Sequence, residues 1–162
     1  MFINKYYFVI NFLVALFSII SGFFFQYVLG YIPCYLCLVE RWPYICLLFL
    51  SITGIFYKKT WIVFTISLVM FISILISGYH VGIEQEWLEE PVYCKKTFIK
   101  FSENNVTDDL DKLPILNQSC KESSPRIMNV SLPAINFLFS IVLFTMSIIY
   151  QVKYSSANNI KK

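Results

Sequence analysis

The sequence predicts an all-α integral membrane protein, a bundle of four helices with two extracytoplasmic loops, the second of them long. Apolar residues make up 57% of the 162 residues and charged residues only 14%, against about 45–50% and about 25% in soluble domains. A soluble domain of this size cannot bury so much apolar surface, and a disordered chain does not carry it. The net charge is only +3 and no basic stripe occurs, so no binding to nucleic acid is predicted.

Four uncharged apolar segments predict the spans, at about residues 6–29, 43–57, 61–79 and 132–152. The first would extend about 36 Å as a helix, enough for a hydrocarbon core about 30 Å thick. The second would extend only about 22 Å, so it crosses only if the polar turn 40–42 lies at interface depth. The first segment is too long for the apolar part of a signal peptide and no A-x-A-like site follows it, so we predict an uncleaved first span, with cleavage near Ser21-Gly22 as the alternative. We predict one membrane domain over residues 1–162.

The distribution of basic residues predicts the orientation. Four spans leave both termini on one side, where segments 1–5, 58–60 and 153–162 carry six Lys and no acidic residue. The loops on the other side, 30–42 and 80–131, carry seven Lys or Arg and all ten acids. Because basic residues are densest in the short flanking segments, both termini are predicted to be cytoplasmic and both loops to lie outside.

Four of the five cysteines lie in the predicted outer loops, as two pairs. Cys34 and Cys37 form a Cys-x-x-Cys motif, which suits either dithiol–disulfide exchange or zinc binding. Zinc would need two more ligands from His80, Cys94 and Cys120, and no second Cys-x-x-Cys motif supplies them. The motif therefore favours redox chemistry, and no metal is predicted.

The second pair, Cys94 and Cys120, encloses a loop of 25 residues. A structural disulfide worth about 3 kcal/mol is one interpretation. The other is a second redox pair that passes electrons to the first, and four outer cysteines in so small a protein favour it. Cys46 stands alone inside the second span and is predicted to be a small buried hydrophobe without chemistry.

Charged residues flank both cysteine pairs. If residues 35–41 are helical, Cys37 and Arg41 lie on one face, where a fixed cation favours the reactive thiolate. The alternative is that Arg41 is an interface anchor paired with Glu40. The long outer loop is predicted to be functional because of its length. Its acids are expected to form a solvated face, with selection of a partner protein as the alternative: Glu84, Glu86, Glu89 and Glu90.

The motif Pro33-Cys34-x-x-Cys37-x-x-Glu40-Arg41 lies after one span and before a short one. In that position it resembles DsbB, the disulfide bond formation protein B family of bacterial inner membranes. The second pair, Cys94 and Cys120, lies in the second outer loop, as that family requires. Weaker matches occur at 78–82, which contains His80, and at Leu132-Pro133.

The resemblance implies a quinone-dependent thiol oxidase in the lipid of the bacterial inner membrane, with its cysteine loops in the periplasm. A reduced DsbA-like thiol oxidase would give its electrons to the Cys94–Cys120 disulfide through a mixed disulfide at Cys94. Cys120 would then exchange with Cys34. Cys37 would face a quinone, ubiquinone or menaquinone, that returns to the quinone pool.

By the same resemblance, Arg41 and His80 are the residues expected to bind the quinone. A fixed cation in a low-dielectric site stabilises both a thiolate and the charge that develops on quinone oxygens. His80, the only histidine of the chain, would donate to a quinone oxygen or move a proton. The alternative for His80 is an ordinary interface residue at the end of a span.

Two other classes of protein compete with this interpretation. Vitamin K epoxide reductases also combine a four-helix bundle, a quinone and cysteine pairs, but their quinone-facing Cys-x-x-Cys lies in a late span. The reverse order, with Cys34 and Cys37 first, favours DsbB. A four-span scaffold with structural disulfides would explain the second pair but not the Cys-x-x-Cys-x-x-Glu-Arg motif.

Overall fold

The computed structural model describes residues 2–57, 59–95, 97–98, 115–117, 119–121, 126–127 and 130–159. Within them the chain is mainly helical. The helices are α1 (Phe2–Phe23, continued by a π-helical turn over Phe24–Val28), α2 (Tyr35–Val39), α3 (Arg41–Tyr57), α4 (Thr60–Glu84) and α5 (Leu132–Asn159). The segments Tyr6–Val28, Tyr35–Tyr57, Thr60–Glu84 and Leu132–Lys153 are long and apolar enough to cross a membrane. The predicted fold class, a four-helix membrane bundle, is confirmed.

The described parts of the second outer loop form short pieces of structure. A 3₁₀ turn covers Val92–Cys94, and two antiparallel ladders pair β1 (Thr97–Phe98) with β2 (Ile115–Asn117) and β3 (Arg126–Ile127) with β4 (Val130–Ser131). These strands were not expected from the sequence. Much of the predicted loop 80–131, including residues 99–114, lies outside the described residues.

Two helical segments extend beyond the predicted spans. The second begins at Tyr35 rather than at Pro43, because α2 and α3 follow one another through Glu40, whose N–H donates to the Leu36 carbonyl at 2.9 Å. Pro43 lies in the first turn of α3, where no helical N–H is needed. The third continues to Glu84 and so includes His80. Hydropathy alone begins the second span too late and ends the third too early, since it counts polar residues that the bundle satisfies as loop residues.

The helices pack as pairs, α1 against α3 and α4 against α5, with α3 also against α4. Apolar side chains form the core, and serines join helices within it. Ser73 hydrogen-bonds Ser140 at 2.9 Å, and Tyr7 hydrogen-bonds Ser147 at 2.7 Å. Interhelical hydrogen bonds are suited to a bilayer, where lipid tails supply no hydrophobic drive for helix association.

The prediction that Cys46 is buried is wrong. Its side chain is exposed on the outer surface of α3. In a membrane protein the outer surface faces lipid, so an apolar thiol is accommodated there without any need for the core.

Gly54 marks the closest approach of α1 and α3. A Cβ at this position would overlap the ring of Phe8, which is fully buried. The Gly54→Ala variant is therefore expected to lose about 1–3 kcal/mol of stability through overpacking. Unfolding in mixed micelles checks this, with Cys46→Ala, at an exposed position of the same helix, as the control. An unchanged midpoint for Gly54→Ala would show that α1 and α3 do not meet there.

Candidate redox site

The Cys-x-x-Cys motif begins α2. Cys34 is the N-cap residue, and its Sγ accepts a hydrogen bond from the backbone N–H of Cys37 at 3.1 Å. The two Sγ atoms lie 2.6 Å apart. Cys34 is fully buried and Cys37 is partly exposed. Helical geometry thus holds two thiols where a disulfide can close after a small movement.

All four outer cysteines lie in one cluster. Cys94 and Cys120 form a disulfide with their Cα atoms 5.3 Å apart, and neither side chain is accessible. Both pack in the same buried cluster as Cys34, with Cys37 against it. The structure therefore places a Cys94–Cys120 disulfide beside the Cys34–Cys37 pair.

His80 faces the first cysteine pair from α4. Its side chain is completely buried, with Nε2 3.6 Å from Cys34 Sγ and Nδ1 2.8 Å from Glu40 Oε1. A carboxylate can only accept, so Nδ1 carries a proton in this pair. When the ring is neutral, Nε2 is then the nitrogen that can accept a proton from the Cys34 thiol.

Glu40 connects three helices. Its Oε1 lies against His80 of α4, and its Oε2 accepts a hydrogen bond from Asn136 Nδ2 of α5 at 3.0 Å. Asn136 Oδ1 in turn accepts from the hydroxyl of Tyr44 in α3. Glu40 therefore pairs with His80, and not with Arg41 as the anchoring alternative had it. A buried pair of this kind is retained only when further hydrogen bonds, such as the one from Asn136, satisfy it.

Arg41 points to α1. Its Nη1 donates to Gln26 Oε1 at 2.7 Å, its Nη2 donates to the Gly22 carbonyl at 3.1 Å, and its guanidinium lies 5.1 Å from the centre of the Phe23 ring. Gly22 leaves just enough room for the Arg41 side chain, since a Cβ at position 22 would lie 3.3 Å from Nε of Arg41. The π-helical turn at 24–28 belongs to the same corner, and such turns are frequent at functional sites.

A cavity of about 380 Å³ adjoins Arg41, lined by residues of α1, α3 and α5 together with Glu40. This volume is in the range of small-molecule sites. Its polar groups are Arg41, Glu40, Tyr44 and Asn136, with Ser18 and Ser21. Phe17, Ile135 and Phe139 line it and are also exposed on the outside of the bundle, so the cavity reaches the lipid-facing surface.

The cavity suits the head group of a quinone. A guanidinium has five N–H donors, more than its two contacts with α1 take up, and quinone oxygens are acceptors. Glu40 lines the cavity, whereas Cys37 and His80 are not among its lining residues within the described parts of the chain. His80 is connected to the cavity through its contact with Glu40.

A metal is the other group that these residues could hold. Within the described residues, Cys34, Cys37 and His80 are the cluster whose ligand atoms all lie within 4.8 Å. Two thiolates about 2.3 Å from one tetrahedral zinc lie about 3.8 Å apart, and a closed site takes a fourth ligand. The Sγ–Sγ distance of 2.6 Å suits formation of a sulfur–sulfur bond better.

Comparison with known proteins decides the family. The model of the family described as disulfide bond formation protein DsbB matches residues 4–150. The chain belongs to the DsbB family. It is also 25% identical over 136 residues to the uncharacterised protein RP370 of Rickettsia prowazekii (strain Madrid E), which covers 80% of this chain and 77% of that protein. No solved structure matches.

Membership of DsbB makes this chain a multi-pass membrane protein of disulfide bond formation, with an oxidoreductase role. The resemblance seen in the sequence is confirmed, and the vitamin K epoxide reductase and scaffold alternatives lose their basis. The DsbB family is an inner-membrane family that uses quinones.

Sequence reasoning missed three members of the site. Glu40 was noted only as part of the motif and as the alternative partner of Arg41, and Asn136 and Tyr44 were not singled out. A polar amide inside an apolar span is a functional signal by itself, and it would have pointed to Asn136. No pattern in the sequence pointed to Tyr44.

Proposed function

We propose that this chain is a thiol:quinone oxidoreductase that reoxidises a DsbA-like periplasmic thiol oxidase. The observation that carries the proposal is the single cluster in which a Cys94–Cys120 disulfide packs against the Cys34–Cys37 pair. A structural disulfide does not need a second cysteine pair beside it. Family membership supports the same function.

The proposed route consists of two balanced exchanges. A thiolate of the partner attacks Cys94, and Cys120 leaves as a thiolate; the second partner thiol then closes the partner's disulfide and releases Cys94. Cys120 attacks Cys34 of an oxidised Cys34–Cys37 pair, Cys37 leaves, and Cys94 displaces Cys34 to restore the Cys94–Cys120 disulfide. Each exchange breaks one disulfide and forms one, so two electrons pass inward.

After these exchanges the two electrons reside on Cys34 and Cys37. A quinone of either type, ubiquinone or menaquinone, accepts two electrons and two protons. Arg41 would donate hydrogen bonds to its oxygens from the inner wall of the cavity. Held by Gln26 and Gly22, the guanidinium is already oriented, which is how fixed donors stabilise developing charge.

The contacts of His80 provide a path for a proton from Cys34 to the cavity. Nε2 of His80 faces Cys34 Sγ, Nδ1 faces Glu40 Oε1, and Glu40 lines the cavity. In the proposed path His80 takes the Cys34 proton at Nε2 and passes its Nδ1 proton to Glu40. Glu40 then supplies a proton inside the cavity. This assigns His80 to proton transfer rather than to direct contact with the quinone, one of the two roles expected from the sequence.

The proposed setting is the bacterial inner membrane, with both termini in the cytoplasm and both cysteine loops in the periplasm. The density of lysines in the terminal and 58–60 segments supports this orientation. The quinone then enters from the lipid between α1 and α5 and returns to the quinone pool.

Counting thiols tests the proposal. A preparation with the Cys94–Cys120 disulfide closed and the Cys34–Cys37 pair reduced carries three thiols, at Cys34, Cys37 and Cys46. After anaerobic addition of quinone to this protein, Cys46 is expected to be the one thiol that remains. About one quinone should be consumed per chain, because formation of one disulfide releases two electrons. A mass-tagging alkylator under denaturing conditions gives the count, and Cys46→Ser is the control that should end with none. Three thiols that persist in excess quinone would contradict the proposed function.

A further inference from the structure

The Cys94–Cys120 disulfide is closed off from the partner that is proposed to attack it. Both cysteines have no accessible surface. Thiol–disulfide exchange requires access of the attacking thiolate to one sulfur. The described arrangement therefore suits exchange with Cys34, which is in the same buried cluster, and excludes a thiolate from outside.

One carboxylate holds the Cys120 side of this arrangement. Glu90 Oε1 accepts a hydrogen bond from the Ser119 hydroxyl at 2.6 Å and another from the Cys120 backbone N–H at 2.7 Å. The same N–H also approaches the Cys94 carbonyl at 3.1 Å. Hydrogen bonds to a charged acceptor are roughly twice as strong as neutral ones. The sequence led us to expect Glu90 in a solvated acidic face. In the structure it instead accepts hydrogen bonds from Ser119 and Cys120.

The chain folds back on the end of α4 shortly before Glu90. The backbone N–H groups of Trp87 and Leu88 both donate to the Gly82 carbonyl, at 2.9 and 3.1 Å. This fold-back requires Glu86 to adopt a φ of 62°, a left-handed conformation that costs energy in a non-glycine residue. Lys121 Nζ, one residue beyond Cys120, contacts Glu86 Oε1 at 3.2 Å. Glu86 and Glu90 of this segment thus both contact residues 119–121.

We propose that Glu90 is a positioning residue that holds Ser119 and Cys120 in place, so that the Cys94–Cys120 disulfide stays beside Cys34 and is shielded from thiols in the surrounding water. The redox role of this disulfide rests on the proposed function. A docking partner protein must replace the Glu90 contacts to reach Cys94, whereas a small thiol offers nothing in exchange. The disulfide is thereby reserved for a partner that binds the loop.

Reduction by glutathione tests the shielding. The Glu90→Ala variant, with both hydrogen bonds removed, is expected to lose the Cys94–Cys120 disulfide about 10–100 times faster than the unmodified protein. Glu89→Ala is the matched control, because Glu89 is the exposed neighbouring acid, and its rate should not change. Mass-tagged thiols, assigned to each cysteine by peptide mapping, give the rates.

Two further measurements separate positioning from damage to the fold. Glu90→Gln keeps an oxygen at the same place, so its rate should return to within about threefold of the unmodified protein if hydrogen bonds set it. Oxidation of the Cys34–Cys37 pair by quinone should be unchanged in Glu90→Ala, and this readout reports separately on the proposed function. Equal glutathione rates for Glu90→Ala and Glu89→Ala, or no recovery in Glu90→Gln, would overturn the proposal.

Discussion

The Arg41→Met variant is expected to reduce quinone about 10²–10³ times more slowly than the unmodified protein, the loss typical when a fixed donor to a developing anion is removed. Arg41 is the cationic group of the cavity, and its orientation is set by Gln26 and Gly22. Met has a similar length and is apolar, so the substitution removes the positive charge from the cavity. The Arg41→Lys variant keeps the charge but not the two-pronged geometry, and we expect an intermediate rate.

Stopped-flow absorbance of the quinone, over a range of quinone concentrations, measures this prediction. Reactivity of the Cys94–Cys120 disulfide towards a reduced thioredoxin-fold partner should stay unchanged, since Arg41 lies on the α1 side and not in the cysteine cluster. Cys46→Ser, on the outer surface of α3, is the control for any substitution in this helix. An Arg41→Met protein that reduces quinone at the normal rate would remove Arg41 from the site.

The Glu40→Gln variant is expected to slow quinone-coupled oxidation of Cys34 and Cys37 by about 10²-fold, within the range of general acid–base contributions. Gln still offers an oxygen to Nδ1 of His80, but it cannot take up the proton that the proposed path delivers. Glu40 is also the acceptor for Asn136, whose amide can turn to match Gln. The shape of the site is therefore largely retained.

A change in proton transfer has a signature that a loosened bundle lacks. The solvent deuterium isotope effect on the quinone step should increase in Glu40→Gln, while the quinone concentration at half-maximal rate changes little. His80→Gln, with the histidine of the path removed, should show the same pattern. An unaltered isotope effect together with weaker quinone binding would show that Glu40 only shapes the cavity.

The sequence was sufficient for the parts of this protein that a bilayer dictates. Apolar segments that cross the hydrocarbon core must satisfy their own backbone hydrogen bonds, because no water is present there, and a helix does so within one segment. The four spans were therefore visible in the composition. The Cys34–Cys37 motif was recognisable because a spacing of three residues is a local property of the sequence. The order of the two cysteine pairs along the chain was enough to indicate the family.

Contacts between distant residues required the tertiary structure. His80 lies 46 positions from Cys34 and 40 from Glu40, and Asn136 lies 96 positions from Glu40. Helical periodicity says which face of one helix a residue occupies, not which neighbour that face meets. The Glu40–His80 pair and the direction of Arg41 were therefore beyond the sequence.

What the sequence by itself determined was the membrane bundle, the four redox cysteines as candidates and the likeness to DsbB. What only the tertiary structure decided was the arrangement of these parts. It paired Cys94 with Cys120, connected Cys34 through His80 and Glu40 to a lipid-side cavity, and gave Glu90 a structural task. The physical reason is that helix packing brings together buried polar groups which satisfy one another, and their partners are far apart along the chain.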